Sequence, residues 1–253
     1  METEWILSMS VVVDDMLNQE QLDKYYCSIS LKEIGLEGQE KLLNSKVLVV
    51  GAGGLASSAL MYLASSGVGY IGIIDDDIIS LDNLPRQVLY NSSDVGKKKV
   101  SVAKKRLKAL NPDVNVKVFD ERLTKDNAKR ILKKFDIIID CVDNFETKFL
   151  INDTCVSLHK PFVTGGVSDY QGQVMTYIPD VSKDFKSLFS ELPINIKPED
   201  MDDAGVFPPA VGIIGNILAS EALKYLLDIG ELLTNRLLVI NTMTWKIHCV
   251  EIK

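Results

Sequence analysis

The run Gly51-Ala-Gly53-Gly54-Leu-Ala56 stands between an apolar stretch, Lys46–Val50, and a segment rich in small residues, Leu55–Ser66. Strand, glycine turn and helix in that order leave few folds open. They form the first half of a βαβ unit whose turn fits G-x-G-x-x-G/A. Glycines let a ligand phosphate approach the backbone, and the helix N-terminus offers free N–H groups and partial positive charge. Gly67-Val-Gly69 stops the helix, and Tyr70–Ile74 reads as a second buried parallel strand. Asp75 follows, where a carboxylate can accept hydrogen bonds from ribose hydroxyls. The fold class expected is α/β, a Rossmann-like doubly wound sheet. By itself the turn suggests NAD, or a tight connection that binds nothing.

The rest of the chain continues the pattern. Val95–Leu110 reads as an amphipathic helix with Val100, Ala103, Leu107 and Leu110 on one stripe. Val114–Phe119 reads as a strand, Asp126–Lys134 as a helix, Asp136–Asp140 as a buried strand and Phe145–His159 as a helix. Pro161–Thr164 opens another strand, Gly165-Gly166 reads as a turn, and Gln173–Ile178 as the strand after it. Asp180–Phe207, with Pro193, Pro198 and the acids Glu199, Asp200, Asp202 and Asp203, reads as a long crossover loop. Gly212–Leu227 resumes as a helix, and Leu237–Asn241 and Lys246–Ile252 as antiparallel strands. The expected organisation is an N-terminal arm or helix over residues 1–32 and a single domain over 33–253, parallel in its first half and antiparallel in its second.

Charge and cysteine content narrow the function. Asp and Glu number 35 against 28 Lys and Arg, a net charge of −7. That balance argues against a protein whose main partner is nucleic acid. Cys27, Cys141, Cys155 and Cys249 form no C-x-x-C pair, so neither a zinc site nor a disulfide framework is expected. Reduced thiols and a cytoplasmic location are expected. Trp5–Val13 follows Glu2 and Glu4 rather than a basic start, unlike a signal peptide. No run of about 18 apolar residues suggests a membrane span.

Asp82-Asn83-Leu84-Pro85-Arg86-Gln87 and Asp94-Val-Gly96-Lys-Lys-Lys99 follow Asp75 closely. A nicotinamide enzyme has no evident need for Arg86 and Lys99 there, but a triphosphate does. Two cations can neutralise its charge and stabilise the charge that shifts as pyrophosphate leaves. Lys97 and Lys98 read as solvated surface charges. Asp140-Cys-Val-Asp143-Asn144 ends the fourth strand, at the end of the sheet where ligands bind. Asp143 can hold Mg²⁺ or cap the following helix. Asp140 reads as structural.

These segments together resemble the ThiF/MoeB/HesA family, bacterial relatives of ubiquitin-activating enzymes. The resemblance runs from Glu33 to the C-terminus, through EIGLEGQEKL, VLVVGAGGLASSALMYLASSGVG, IIDDDIISLDNLPRQVLY, VGKKKV, DCVDN, GQV and AGVFPPAVGIIGNILASEALKYLLDIG. It implies an adenylyltransferase that uses ATP and Mg²⁺. The C-terminal glycine carboxylate of a small ubiquitin-like carrier protein ending in Gly-Gly attacks the α-phosphate, and pyrophosphate leaves. By motif, Gly51, Gly53 and Gly54 form the cradle and Asp75 holds the ribose. Asn83, Arg86, Gln87 and Lys99 position and neutralise the phosphates, and Asp143 binds Mg²⁺. The resemblance also implies a homodimer or heterodimer.

The chain departs from that pattern in four places. Ala56 replaces the last glycine of GxGGLG. Cys27 stands where relatives place an arginine that reaches the partner subunit's ATP. Asp184 and Ser187 stand where relatives often carry a zinc C-x-x-C pair. Met201 stands where some relatives carry a thioester or persulfide cysteine. The departures keep two other readings open. One is a half-competent member of a heterodimer. The other is a relative that adenylates a different carboxylate, such as a peptide or a modified tRNA base.

Overall fold

Lys46–Val50 is apolar at four successive positions, so both of its faces must be covered. The computed structural model, which describes residues 17–191 and 205–252, covers them with helices on both sides. Trp5–Val13, Pro193, Pro198, the 199–203 acids and Met201 lie outside the described residues.

In chain order the elements are α1 (Gln19–Lys24), α2 (Tyr26–Ile29), α3 (Gly35–Asn44), β1 (Lys46–Val50), α4 (Gly54–Ser65) and β2 (Tyr70–Ile74). Then come α5 (Lys99–Leu110), β3 (Asn115–Phe119), α6 (Ala128–Leu132), β4 (Ile137–Asp140), α7 (Phe145–Ser157), β5 (Phe162–Ser168) and β6 (Gln171–Tyr177). The last are α8 (Phe185–Glu191), α9 (Pro208–Leu227), β7 (Arg236–Asn241) and β8 (Lys246–Glu251).

One sheet of eight strands runs β3-β2-β1-β4-β5-β6-β7-β8. The pairs from β3 through β5 are parallel. The pairs from β5 through β8 are antiparallel. The chain builds outward from β1 through β2 to β3, then returns to place β4 on the other side of β1. That reversal makes β1 and β4 the switch point, where their C-terminal ends leave a crevice. Val47 and Val49 face the core layer under α3, α4, α5 and α9. Leu48 and Val50 face the second layer, under α6, α7 and α8.

Several boundaries differ from the sequence expectation. Helix α5 begins at Lys99 rather than Val95, because Gly96 adopts φ +86° and Ser92–Asp94 closes a separate 3₁₀ turn. Leu110, expected on its apolar stripe, is exposed. Gly165-Gly166 is not a turn. Both lie inside β5, opposite Val174 and Gln173. A side chain at Gly165 would press on Leu218 and Ile214 of α9, so the glycine there admits a close helix crossing. The turn falls instead at Asp169, with φ +52°. Part of the expected 180–207 loop is α8. Its start is capped by Asp184, whose Oδ1 accepts from the Ser187 N–H at 3.1 Å. The last long helix starts at Pro208 rather than Gly212, with proline in its first turn, where no N–H is needed.

Helix α9 is long and apolar enough to match a membrane span by length and composition. Asn216, Ser220, Glu221 and Lys224 interrupt any uninterrupted apolar run within it. Here it is a core helix, with Ala210, Ile214, Leu218, Ala219 and Ala222 buried. It packs on α4 through small residues. A Cβ at Gly215 would collide with Ser58 Oγ and the Leu55 carbonyl, while a Cβ at Gly212 would meet nothing. The two glycines of one helix should therefore respond oppositely to alanine. Gly215→Ala should lower stability in urea denaturation by roughly 1–3 kcal/mol through overpacking. Gly212→Ala should raise it by up to about 1 kcal/mol through helix propensity. Equal responses would mean that α9 does not approach α4 this closely.

Candidate functional site

At the end of β1 the chain turns through Gly51, whose φ of +89° disfavours any other residue. A Cβ there would also sit 3.0 Å from the Cys141 carbonyl oxygen at the end of β4. The next residue is held on both sides. Ala52 N–H donates to Asp75 Oδ2 at 2.7 Å, and the Ala52 carbonyl accepts from the Tyr90 hydroxyl at 2.7 Å. Gly54 has no room for a side chain, since its Cβ would lie 2.6 Å from Val211 Cγ1. Gly53 differs. A Cβ there would meet only Gln87 Nε2, at 3.7 Å, so the space above it is open. Helix α4 starts at this point, and its first turn presents N–H groups that have no intrahelical acceptor. Ala56 is fully buried in the core below, so its extra methyl is accommodated by packing.

The segment 80–90 wraps this turn. Asn83 is buried, and its amide closes the 3₁₀ turn Leu81–Asn83. Its Oδ1 accepts from Ser80 N–H at 3.3 Å, and its Nδ2 donates to Asp82 at 3.2 Å. Arg86 Cγ would lie 3.6 Å from a Cβ on Gly54, and its guanidinium donates to the Asp82 carbonyl at 2.9 Å. No carboxylate pairs with Arg86 among the described residues. Gln87 is 4% exposed, and its Oε1 has no hydrogen-bond partner. A buried, unsatisfied amide oxygen is costly unless a ligand or water completes it. Asn83, Arg86 and Gln87 thus share one short segment over the glycine turn.

Charged groups complete the setting. Lys99 is buried at the start of α5, with its Nζ 2.8 Å from Asp77 Oδ2. Asp75 accepts two backbone N–H groups, from Ala52 and from Asp77. Burial pushes its carboxyl above the usual range, and those hydrogen bonds and the Lys99 charge offset only part of the rise. Its remaining lone pairs stay free for hydroxyl donors. Lys97 and Lys98, expected to be solvated, also have carboxylate partners, Asp94 at 3.1 Å and Asp120 at 2.9 Å.

At the end of β4, Asp140 is structural. It is buried, and it accepts from Lys148 Nζ at 3.0 Å, Thr164 Oγ1 at 2.7 Å and Val142 N–H at 3.1 Å. Helix α7 is capped by Asn144, whose Oδ1 accepts from Thr147 N–H at 2.9 Å. The cap is therefore not Asp143, which is exposed at the strand end and free to face a ligand. Another set of carboxylates close enough to share one cation is Asp75, Asp76 and Asp77. An open cleft of about 780 Å³ lined by Lys41, Ser45, Asp136 and Lys224 lies at the opposite, N-terminal ends of β1 and β4.

The ThiF family model matches residues 25–253. The chain belongs to the ThiF family. It is 41% identical over 230 residues to the sulfur carrier protein adenylyltransferase of Thermus thermophilus, covering 89% of this chain and 85% of that protein. It is 42% identical over 226 residues to a probable molybdopterin-synthase adenylyltransferase of Porphyra purpurea, covering 89% of this chain but only 59% of that protein. The crystal structure of E. coli MccB with AMPCPP and MccA superposes with a TM-score of 0.76 at 26% identity, covering 85% of this chain and 65% of that one. These two relatives are named adenylyltransferases, and the fold is that of ThiF-family enzymes.

The departures from the ThiF pattern can now be placed. Cys27 is exposed on α2, which lies far from the glycine turn: the adjacent Tyr25 packs by Gly67 and bonds Asn111 at the other end of α4 and α5. The Ser187 hydroxyl donates to Asp184, which also accepts from Asn152 Nδ2 at 3.0 Å. Cys141 and Cys155 are buried, and burial pushes both thiols well above their ordinary pKa, which suits inert residues.

Four further residues shape the site without a role read from the sequence: Tyr90 bonds Ala52, Asp77 holds Lys99, Asp94 holds Lys97 and Arg106, and Lys148 holds Asp140.

Lys148→Met should cost roughly 3–5 kcal/mol in urea denaturation, because it strands the buried Asp140 carboxylate; a loss below 1 kcal/mol would remove the pair as a support. Asp94 offers a pH test. Burial raises its pKa, but hydrogen bonds from Arg106 at 2.9 Å and from Lys97 outweigh this and hold it below the usual range. Its contribution is present above the unfolded value of about 4 and lost as pH falls through the lower folded value. Acid titration of Asp94→Asn should show a shallower stability loss below about pH 4 than the parent protein.

Proposed function

We propose that this protein is an ATP- and Mg²⁺-dependent adenylyltransferase acting on the C-terminal glycine carboxylate of a ubiquitin-like sulfur-carrier protein. The observation that carries this is the notch over Gly53. It is floored by the N–H groups of the α4 start, walled by Gln87, whose Nε2 lies 3.7 Å from a Cβ built on Gly53, and flanked by Arg86, with Lys99 held by Asp77 just beyond Asp75. A nicotinamide dinucleotide would leave those two cations without a task.

The residues fit a triphosphate. Asp75 would take the ribose hydroxyls, and the amides of the α4 N-terminus the phosphate oxygens. Gln87 and Asn83 would order the segment that carries Arg86. Arg86 and Lys99 would take up charge that moves onto the leaving pyrophosphate. Asp143 would hold Mg²⁺, which screens the phosphates when bound. The incoming carboxylate is already ionised at neutral pH, so no general base is required. Catalysis would rest on alignment and electrostatics. Its setting would be the cytoplasm, as a dimer, with no zinc, since hydrogen bonds already occupy Asp184 and Ser187.

Pyrophosphate exchange tests the reading. With ATP, Mg²⁺ and a cognate carrier ending in Gly-Gly, exchange should be carrier-dependent. Arg86→Ala and Lys99→Ala should each lower kcat/KM by about 10²–10³. ATP binding without exchange, across all cognate carriers, would sink it.

Cys27 favours one second reading: the chain works beside a different subunit that supplies an arginine. A purified homodimer with full exchange activity would remove it.

A further inference from the structure

Nothing in the nucleotide pattern assigns a role to Tyr90, yet it makes a short buried hydrogen bond to the glycine turn itself. Its ring is 6% exposed in the core layer under α4. Its hydroxyl donates to the Ala52 carbonyl at 2.7 Å, and burial pushes that hydroxyl far above the usual tyrosine pKa, so it remains a donor. The described peptide bonds are all trans. In a trans peptide the carbonyl of one residue and the N–H of the next point in opposite directions. Drawing the Ala52 carbonyl inward therefore turns the Gly53 N–H outward, away from the core.

The neighbouring groups make that orientation matter. Gly51 N–H is taken by the Ile74 carbonyl at 2.9 Å, and Ala52 N–H by Asp75. Gly53 is the first residue of the turn whose N–H has no protein acceptor among the described residues. Gln87, with its unpartnered and almost wholly buried Oε1, borders the same notch. The segment 86–90 thus meets the turn at successive points: Tyr90 at Ala52, Gln87 at Gly53 and Arg86 at Gly54.

We propose that Tyr90 is a positioning residue for phosphate recognition, setting the Ala52–Gly53 peptide so that the Gly53 amide faces the phosphates. Tyr90 touches no substrate itself. Without its hydroxyl the buried Ala52 carbonyl lacks a donor, and the peptide can rotate to find one. Rotation withdraws the Gly53 N–H. The inference rests on the nucleotide reading above and deepens it.

The test compares ligands with and without phosphates on the full chain. Calorimetry should give Tyr90→Phe a roughly ten-fold weaker Kd for Mg·ATP, the value of one charge-assisted hydrogen bond. Adenosine affinity should stay within about two-fold of the parent. A merely structural role would weaken both ligands together, or neither, and either result overturns the proposal. If the parent binds neither ligand, the nucleotide reading itself fails. Should Tyr90→Phe not fold, amide spectra of the parent protein still decide. Titrating inorganic tripolyphosphate should shift the Gly53 amide strongly and the Ala52 amide, held by Asp75, much less. An unmoved Gly53 amide alongside shifted α4 amides would overturn it.

Discussion

The structure depends on one crowded stretch of backbone. Residues 51–54 must pass beside the Cys141 carbonyl, under Val211 and over the buried Ala56, yet leave their outward amides unpaired. The two demands conflict, because buried N–H groups normally find partners. The conflict is resolved by dividing the peptides. Inward groups are taken up by Ile74, Asp75 and Tyr90, and the outward ones are left at a helix start. The sheet supplies the rest. Returning the chain to place β4 beside β1 opens a crevice at those amides, and the tight α4–α9 crossing keeps the turn from relaxing.

Electrostatic balance around the turn follows a similar division. Three consecutive lysines each have a separate acid: Lys97 with Asp94, Lys98 with Asp120, and Lys99 with Asp77. Each of these pairs has an exposed partner, and pairs of that kind add little to stability. Their value is placement. Asp94, shared with Arg106, pins the turn from which Lys99 enters α5. Among the described residues no carboxylate forms an ion pair with Arg86, whose guanidinium instead donates to the Asp82 carbonyl.

Much of the fold was legible because its signals are local. Short β-branched apolar runs within 46–50, 70–74 and 136–140, with Gly turns beside the first two, read as doubly covered strands, and Gly, Asn-Pro and the cap residues punctuate the helices between them. Local signals also misled where tertiary packing decides. Gly165-Gly166 carries a turn signature, but both lie within β5, and α9 crosses so closely at Gly165 that a Cβ there would press on Ile214 and Leu218. Val95 begins an apolar periodicity, but Gly96 breaks the helix before Lys99. For the site, Asp75, Arg86, Lys99 and Asp143 are charged residues near a phosphate turn, and Gln87 enters only through the resemblance to the ThiF family. The structure gathers Asp75, Arg86, Gln87 and Lys99 around that turn and puts Asp143 at the end of the adjacent strand.

By itself, then, the sequence determined the doubly wound class, the glycine cradle and the inventory of polar groups, because strand, turn and helix signals and nearby charges act over a few residues. Only the tertiary structure decided which groups are spent and which remain free. Asn144 rather than Asp143 caps α7, Asp140 is consumed by Lys148, and Tyr90 reaches across 38 residues to hold Ala52. Those assignments depend on hydrogen bonds between segments distant in the chain, and their partners are set by how the sheet brings its strand ends together.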